Sequence, residues 1–202
     1  MIISIDGTLA SGKSTISSLL TKDYDFKKIN TGIYFRIVTY YYLKNKKKIN
    51  KKNSKYIKKV LENNIPYSKL FAPIIDKNIS FISNLKYIRK IIYIHLRSKL
   101  KKISNKNIIL EGRDVFFEMK KYLNYSFFLT AKFNIRLKRR ISQLEKKDKL
   151  EAIEYINERE KNDIGLFKDK INNSKEIIKI DNSNLSVKQT IKLIINYLNL
   201  NK

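Results

Sequence analysis

The chain has no cysteine, a single histidine and two prolines in 202 residues. Without cysteine there is no disulfide framework, no thiolate zinc site and no cysteine nucleophile. The lone histidine, His95, excludes His-rich metal sites and two-His motifs. Acids are scarce: 18 Asp+Glu stand against 44 Lys+Arg, a formal net charge of +26. No run of 18 apolar residues occurs, which argues against a membrane-spanning helix. The opening residues Met1-Ile2-Ile3-Ser4-Ile5-Asp6-Gly7 lack the basic segment and long apolar stretch of a secretory signal. A cytoplasmic protein with no membrane partner is therefore expected. No internal repeat is visible.

The residues that are present describe a globular chain. Apolar residues make up 43%, enough for one domain with a real core. Basic residues divide into 36 Lys and 8 Arg, and Lys, Ile and Asn, all spelled with A/T-rich codons, dominate the composition. The charge fits two readings: a footprint for nucleic acid or a Lys-rich solvated surface. The segment 44–59 concentrates the question, with nine Lys and no acid. Tyr40, Tyr41, Tyr42 and Tyr56 lie beside it, as a base-stacking surface would require, although helical spacing also suits core positions.

Short apolar runs at 2–5, 26–29, 108–110, 125–130 and 177–180 read as strands, and helical periodicity fills the intervals. Helices are predicted over 31–43, 85–101 and 133–144, with His95 on the apolar face of the second as a partly buried core residue. Pro66 and Pro73 bracket a stretch read as irregular. A final helix begins at Ser186, which with Gln189 forms a candidate capping box. Strands alternating with helices predict an α/β fold with a parallel sheet.

The strongest motif follows the first strand. Gly7-Thr8-Leu9-Ala10-Ser11-Gly12-Lys13-Ser14 fits G-x-x-x-x-G-K-[ST]. Glycines let the backbone N–H groups turn inward onto phosphate oxygens. The helix that follows adds the positive end of its dipole. Lys13 can reach the β- and γ-phosphates, and the Ser14 hydroxyl can ligate Mg2+. In a chain that uses Lys almost everywhere, the eight Arg mark candidate positions for a planar two-donor fork. They are Arg36, Arg89, Arg97, Arg113, Arg136, Arg139, Arg140 and Arg159.

Over nearly its whole length the chain resembles the bacterial cytidylate kinases. The loop from Gly7 to Thr15 looks like that family's nucleotide loop, and Asn30-Thr31-Gly32-Ile33-Tyr34-Phe35-Arg36 resembles its D-T-G-x-x-Y-R. Ile79 to Ser83, Ile88-Arg89 and Arg97 resemble further elements, and Glu111-Gly112-Arg113-Asp114 is similar to D-G-R-D. Phe128-Leu129-Thr130-Ala131 with Arg136, Arg139 and Arg140 looks like F-L-T-A and R-x-x-R-R. Arg159 to Asp163 resembles R-D-x-x-D.

The resemblance implies a P-loop nucleoside monophosphate kinase fold, a five-stranded parallel sheet with helices on both faces. It implies one kinase domain, with a core at roughly 1–43, 102–144 and 175–202, an acceptor-binding insert at 44–101 and a mobile lid at 145–174. Gly7 to Thr15, Arg136, Arg139, Arg140 and Arg159 would hold ATP. Thr31, Arg36, Ser83, Arg97, Arg113, Asp114 and Asp163 would hold CMP or dCMP. Arg36 and Arg113 would grip the acceptor phosphate, Ser83, Arg97 and Asp114 the cytosine, and Asp163 the sugar. Arg89 is expected in a structural ion pair. A monomer with small-molecule partners and no specific nucleic acid is expected.

The chain also departs from the pattern. Asn30 and Glu111 stand where the family has Asp, Phe35 replaces Tyr, and Leu166 replaces an Arg whose charge Lys168 or Lys170 would supply. The segment 59–85 is short, which implies loss of a small hairpin. The expected activity is ATP-dependent phosphorylation of CMP, with Mg2+. The rivals are another small-molecule P-loop kinase, acting for example on shikimate, and a basic nucleic-acid-binding module.

Overall fold

The computed structural model describes residues 1–103, 106–142, 150, 153–154, 156–157, 171 and 174–200. Five strands form one sheet: β1 (Ile2–Gly7), β2 (Phe26–Asn30), β3 (Asn107–Glu111), β4 (Tyr125–Thr130) and β5 (Ile178–Asp181). Their order across the sheet is β2-β3-β1-β4-β5, and β1 pairs in parallel with both β3 and β4. The chain divides into two compact units, Met1–Ile29 with Lys106–Lys202, and Asn30–Asn105.

In the first unit the alternation of β1 decides what faces what. Ile3 and Ile5 point to one side with Ile109, Phe127, Leu129 and Ile180. There they pack on α1 (Lys13–Asp23) through Ile16 and Leu20, and on the C-terminal helix. Ser4 and Asp6 point to the other side, toward α7 (Val115–Met119), where Phe116 forms a second apolar cluster with Ile171 and Ile177. Helices thus cover both faces, as expected. Full burial of the central strands explains their nearly continuous apolar runs. α8 (Phe133–Ile141) follows β4. The C-terminal helix, here α9 (Val187–Leu198), starts with the capping box in full: Ser186 Oγ accepts from Gln189 N and Gln189 Oε1 accepts from Ser186 N.

The second unit is helical among its described residues: α2 (Thr31–Lys44), α3 (Ser54–Val60), α4 (Tyr67–Leu70), α5 (Pro73–Asn84) and α6 (Lys86–Lys101). It starts at Asn30, because the buried face of α2 packs on α3, α4 and α5. The stretch between the prolines, read as irregular, contains α4, and Pro73 opens α5. Proline suits a first helical position, because its fixed φ is helical and its missing N–H had no intrahelical acceptor. Ile75, Ile79 and Ile82, spaced four and three apart, bury one face of α5. His95 packs as its periodicity predicts, 5.3 Å from the Tyr34 ring, with Nδ1 3.2 Å from Glu62 Oε1. Burial holds its pKa below the usual value against the pull of Glu62.

Candidate active site

The turn between β1 and α1 has the geometry that its glycines foretell. A Cβ on Gly7 would lie 2.1 Å from the Leu129 carbonyl oxygen, so only glycine allows this approach to β4. Gly12 caps α1 with φ 92°, a left-handed conformation that side chains disfavour. Lys13 folds back, its Nζ donating to Gly7 O at 2.9 Å and Thr8 O at 2.6 Å. The hydroxyls of Thr8 and Ser11 are buried and have no hydrogen-bond partner among the described residues. A buried hydroxyl left without a partner is costly, so both suit an incoming oxygen ligand.

Beside the loop, Glu111 ends β3, 4% exposed. Its Oε1 accepts from Ser14 Oγ at 2.5 Å and its Oε2 from Ser17 Oγ at 2.6 Å, with Lys28 Nζ 3.7 Å away. Ser14 and Ser17 share a face of α1 because they are three residues apart. Among the described residues no three His, Cys, Asp or Glu cluster in a way that could hold a metal. One carboxylate and one hydroxyl beside a phosphate loop nevertheless fit Mg2+, which takes few protein ligands and completes its shell with phosphate oxygens and water.

The chain leaves Glu111 through Gly112-Arg113-Asp114 into α7, and Asp114 is buried as the residue before that helix. Asp6, at the end of β1, accepts from Val115 N with Oδ1 and from Phe116 N with Oδ2, each at 2.9 Å. Burial raises the Asp6 pKa from 3.8 to about 6, although both N–H bonds and the Lys13 charge act in the other direction.

Arg136 on α8 is buried, donating to Ala131 O at 2.8 Å and to Leu9 O of the loop at 3.4 Å. Arg139 donates to Asn182 Oδ1 at 3.0 Å and Asn182 O at 3.3 Å, while Asn182 Nδ2 donates to Ser11 O at 2.8 Å. Arg136 and Arg139 therefore both reach the loop's surroundings, one directly and one through Asn182. Arg140 is half-buried on the same helix. Arg159 and Asp163 lie outside the described residues, as do Leu166, Lys168 and Lys170.

In the second unit, Thr31 is buried at the start of α2, where the Asn30 side chain accepts from Gly32 N at 2.9 Å. Asn therefore keeps a helix-capping acceptor without a charge. Arg36 donates to Leu70 O at 2.9 Å and Asp76 Oδ1 at 2.6 Å, and stacks 4.1 Å from the Phe71 ring centre. Ser83, near the end of α5, donates to Ser80 O, and its own carbonyl accepts from Arg89 at 2.8 Å. Arg89 thus serves the C-terminal end of α5 and lies 5.6 Å from the Phe35 ring. Arg97 is half-buried on α6. All nine lysines of 44–59 are exposed, and Lys44, Lys46 and Lys48 sit over the rings of Tyr40, Tyr42 and Tyr56.

The family model described as Cytidylate kinase matches residues 3–200. The chain belongs to the cytidylate kinase family. A cytidylate kinase of Fusobacterium nucleatum subsp. nucleatum is 31% identical over 212 residues, covering 96% of this chain and 95% of its own. Membership of the cytidylate kinase family places the chain among the phosphotransferases. Solved structures share the fold at low identity. Deoxyadenosine kinase from M. mycoides, with bound dATP, is 18% identical with a TM-score of 0.54, covering 99% of this chain and 100% of that one. Shikimate kinase from Bacteroides thetaiotaomicron is 12% identical with a TM-score of 0.55, covering 99% of each chain. Such different acceptors on one scaffold mean that the fold alone does not select the acceptor.

Several residues at the site carried no sequence assignment. Ser17 had a usable signal, one helical turn beyond Ser14 on a helix placed correctly. Asn182 follows a strand end, where open α/β sheets place binding residues. Asp76 gave no local sign, because its partner Arg36 is 40 residues away. Among the described residues no helix is long and apolar enough to cross a membrane.

Proposed function

We propose that this protein transfers the γ-phosphoryl group of ATP to CMP, with dCMP as a second acceptor and Mg2+ as cofactor. The observation that carries the reading is the turn Glu111-Gly112-Arg113-Asp114. It places an acid against Ser14 of the phosphate loop and, two residues on, an arginine and a buried aspartate. A carboxylate accepts a hydrogen bond from the cytosine N4 amine, which uracil lacks.

An oxygen of the CMP phosphate attacks the γ-phosphorus, the bond from that phosphorus to the β,γ-bridging oxygen breaks, and ADP departs. The acceptor is already an anion, so no general base and no covalent enzyme intermediate is needed. The obstacle is repulsion between two phosphate groups, and the residues answer it with charge and alignment. Lys13 leaves the carbonyls of Gly7 and Thr8 for the β- and γ-phosphates. Arg136 and Arg139, with Arg140 and Arg159, neutralise the donor. Arg36 and Arg113 hold the acceptor phosphate, while Ser83, Arg97 and Asp114 read the base and Asp163 the sugar. Ser14 and Glu111 would hold Mg2+, which would supply neutralising charge to the transferring phosphates.

The test is an ADP-release assay with ATP against a panel of CMP, dCMP, UMP, dTMP and shikimate. The cytidine nucleotides should give the highest kcat/KM. Preference for any other acceptor overturns the assignment.

A further inference from the structure

We infer that Asp6 is a positioning residue for acceptor recognition, clamping the Arg113-Asp114 turn to the strand that carries the phosphate loop. The inference rests on the acceptor reading given above. Its basis is geometric. Asp6 is the last residue of β1 before Gly7, and alternation turns it away from the Ile3 and Ile5 face. Each carboxylate oxygen receives one backbone N–H, from Val115 and from Phe116. These are the two residues directly after Asp114, so the pair of bonds fixes the backbone from which Arg113 and Asp114 project. One side chain thereby ties the donor-side loop to the acceptor-side turn through the interior of a single unit.

The surroundings say why a charge is kept there. Asp6 is 3% exposed and shares an apolar crevice with Arg113, Phe116, Phe117, Phe127 and Phe128. Among the described residues, the charged groups facing it are Lys13 from α1 and Arg113 from the turn before α7, and β4 contributes two phenylalanines. Burial opposes ionisation and outweighs the favourable Lys13 charge. A neutral amide of the same shape has one accepting oxygen and cannot satisfy both N–H groups. An ionised carboxylate satisfies both, with bonds of the stronger, charge-assisted kind.

The experiment compares wild type with Asp6→Asn, measuring kcat and the KM of each substrate from pH 5 to 8. At pH 7.5 the CMP KM should rise about tenfold, the effect of losing one such bond, while the ATP KM stays within about twofold. The ratio of variant to wild-type CMP KM should fall toward one as pH drops below about 6, where wild-type Asp6 becomes protonated. The second ionisation of the CMP phosphate, also near 6, is common to both proteins and cancels in that ratio. Equal rises in both KM values, or a ratio independent of pH, overturn the inference. An independent readout needs neither the variant nor turnover: in the substrate-free wild type, the Val115 and Phe116 amide protons should titrate together near pH 6 by NMR. Val115 and Phe116 amide signals with no shared titration anywhere between about pH 3 and 8 refute the clamp. A failed acceptor panel beside titrating amides would instead refute the acceptor reading and leave the clamp standing.

Discussion

Glu111→Gln separates the charge of the strand-end acid from its hydrogen bonds. The side chain keeps its length, and a glutamine can still bond both Ser14 and Ser17, because each hydroxyl rotates to donate or accept. What is lost is one buried negative charge, 3.7 Å from Lys28. Making two charge-assisted bonds neutral weakens each by about 1 kcal/mol. The Lys28 contact adds little, because that side chain is 27% exposed and screened by water. Against these losses stands relief from desolvating a carboxylate, which is of several kcal/mol for an isolated buried ion. The terms oppose each other, so the fold should survive with Tm changed by only a few degrees.

The reaction should not survive equally well. A unit charge and a divalent cation a few ångströms apart attract by about 2 kcal/mol even at the dielectric of water. Loss of that attraction should raise the Mg2+ concentration for half-maximal rate by about tenfold or more. The assay is ADP release at saturating ATP and CMP, titrated with Mg2+, beside a thermal melt of the same preparation. A variant with unchanged Tm and an unchanged Mg2+ titration would refute a metal-side role for Glu111. A collapsed melt would show instead that the buried charge of Glu111 is chiefly structural.

Lys13→Ala should lower kcat at least 1000-fold, on the order expected for removing a principal source of transition-state charge stabilisation, with a cooperative melt retained. Near-normal kcat would remove the loop lysine from the chemistry. Asp6 predicts a pH effect on stability. Its folded pKa of about 6 lies above the ordinary 3.8, so its contribution is fully present below 3.8 and is lost as pH rises to about 6. The difference corresponds to about 3 kcal/mol. Chemical denaturation should show that decline in wild type relative to Asp6→Asn, and parallel curves would contradict it. The net charge of +26 should also speed the approach of anionic nucleotides. Salt should therefore depress kcat/KM more than kcat, and equal salt sensitivity would exclude steering.

Features encoded by neighbouring residues were legible in the chain. The loop from Gly7 to Ser14 is contiguous, so its residue types alone specify the turn, and the capping box at Ser186 spans one helical turn. The strand at 125–130 was bounded correctly because the run of apolar residues is short and stops at a helix start. The segment from Pro66 to Asn84 was not legible. Prolines read as breakers, and nothing local announced that Pro73 would occupy the one helical position that tolerates it. The partnerships that build the site were hidden for a different reason. Asn182 bonds Ser11 across 171 residues and Asp6 bonds Val115 across 109, contacts that exist only after the sheet assembles. A charged residue such as Asp6 shows its burial only when the pleat is known, because alternation places it inside while its type suggests the surface.

Assembly also changes how the basic excess is read. Three of the eight arginines each bridge two acceptors that lie apart in the chain or on different groups. Arg36 joins Leu70 O to Asp76, Arg136 joins Ala131 O to Leu9 O, and Arg139 holds both the side chain and the carbonyl of Asn182. A planar fork with five N–H donors makes such bridges at fixed angles, whereas an ammonium on a flexible stem spreads its donors around a point. The nine lysines of 44–59, by contrast, lie exposed, and Lys44, Lys46 and Lys48 sit over the rings of Tyr40, Tyr42 and Tyr56. Lys drift across the surface therefore changes the net charge with little structural consequence. The same drift at Arg36, Arg136 or Arg139 would break a two-point brace between packed segments of the fold. In this chain the scarce cation braces the packed segments, and apart from Lys13 in the loop the exposed lysines set the background field.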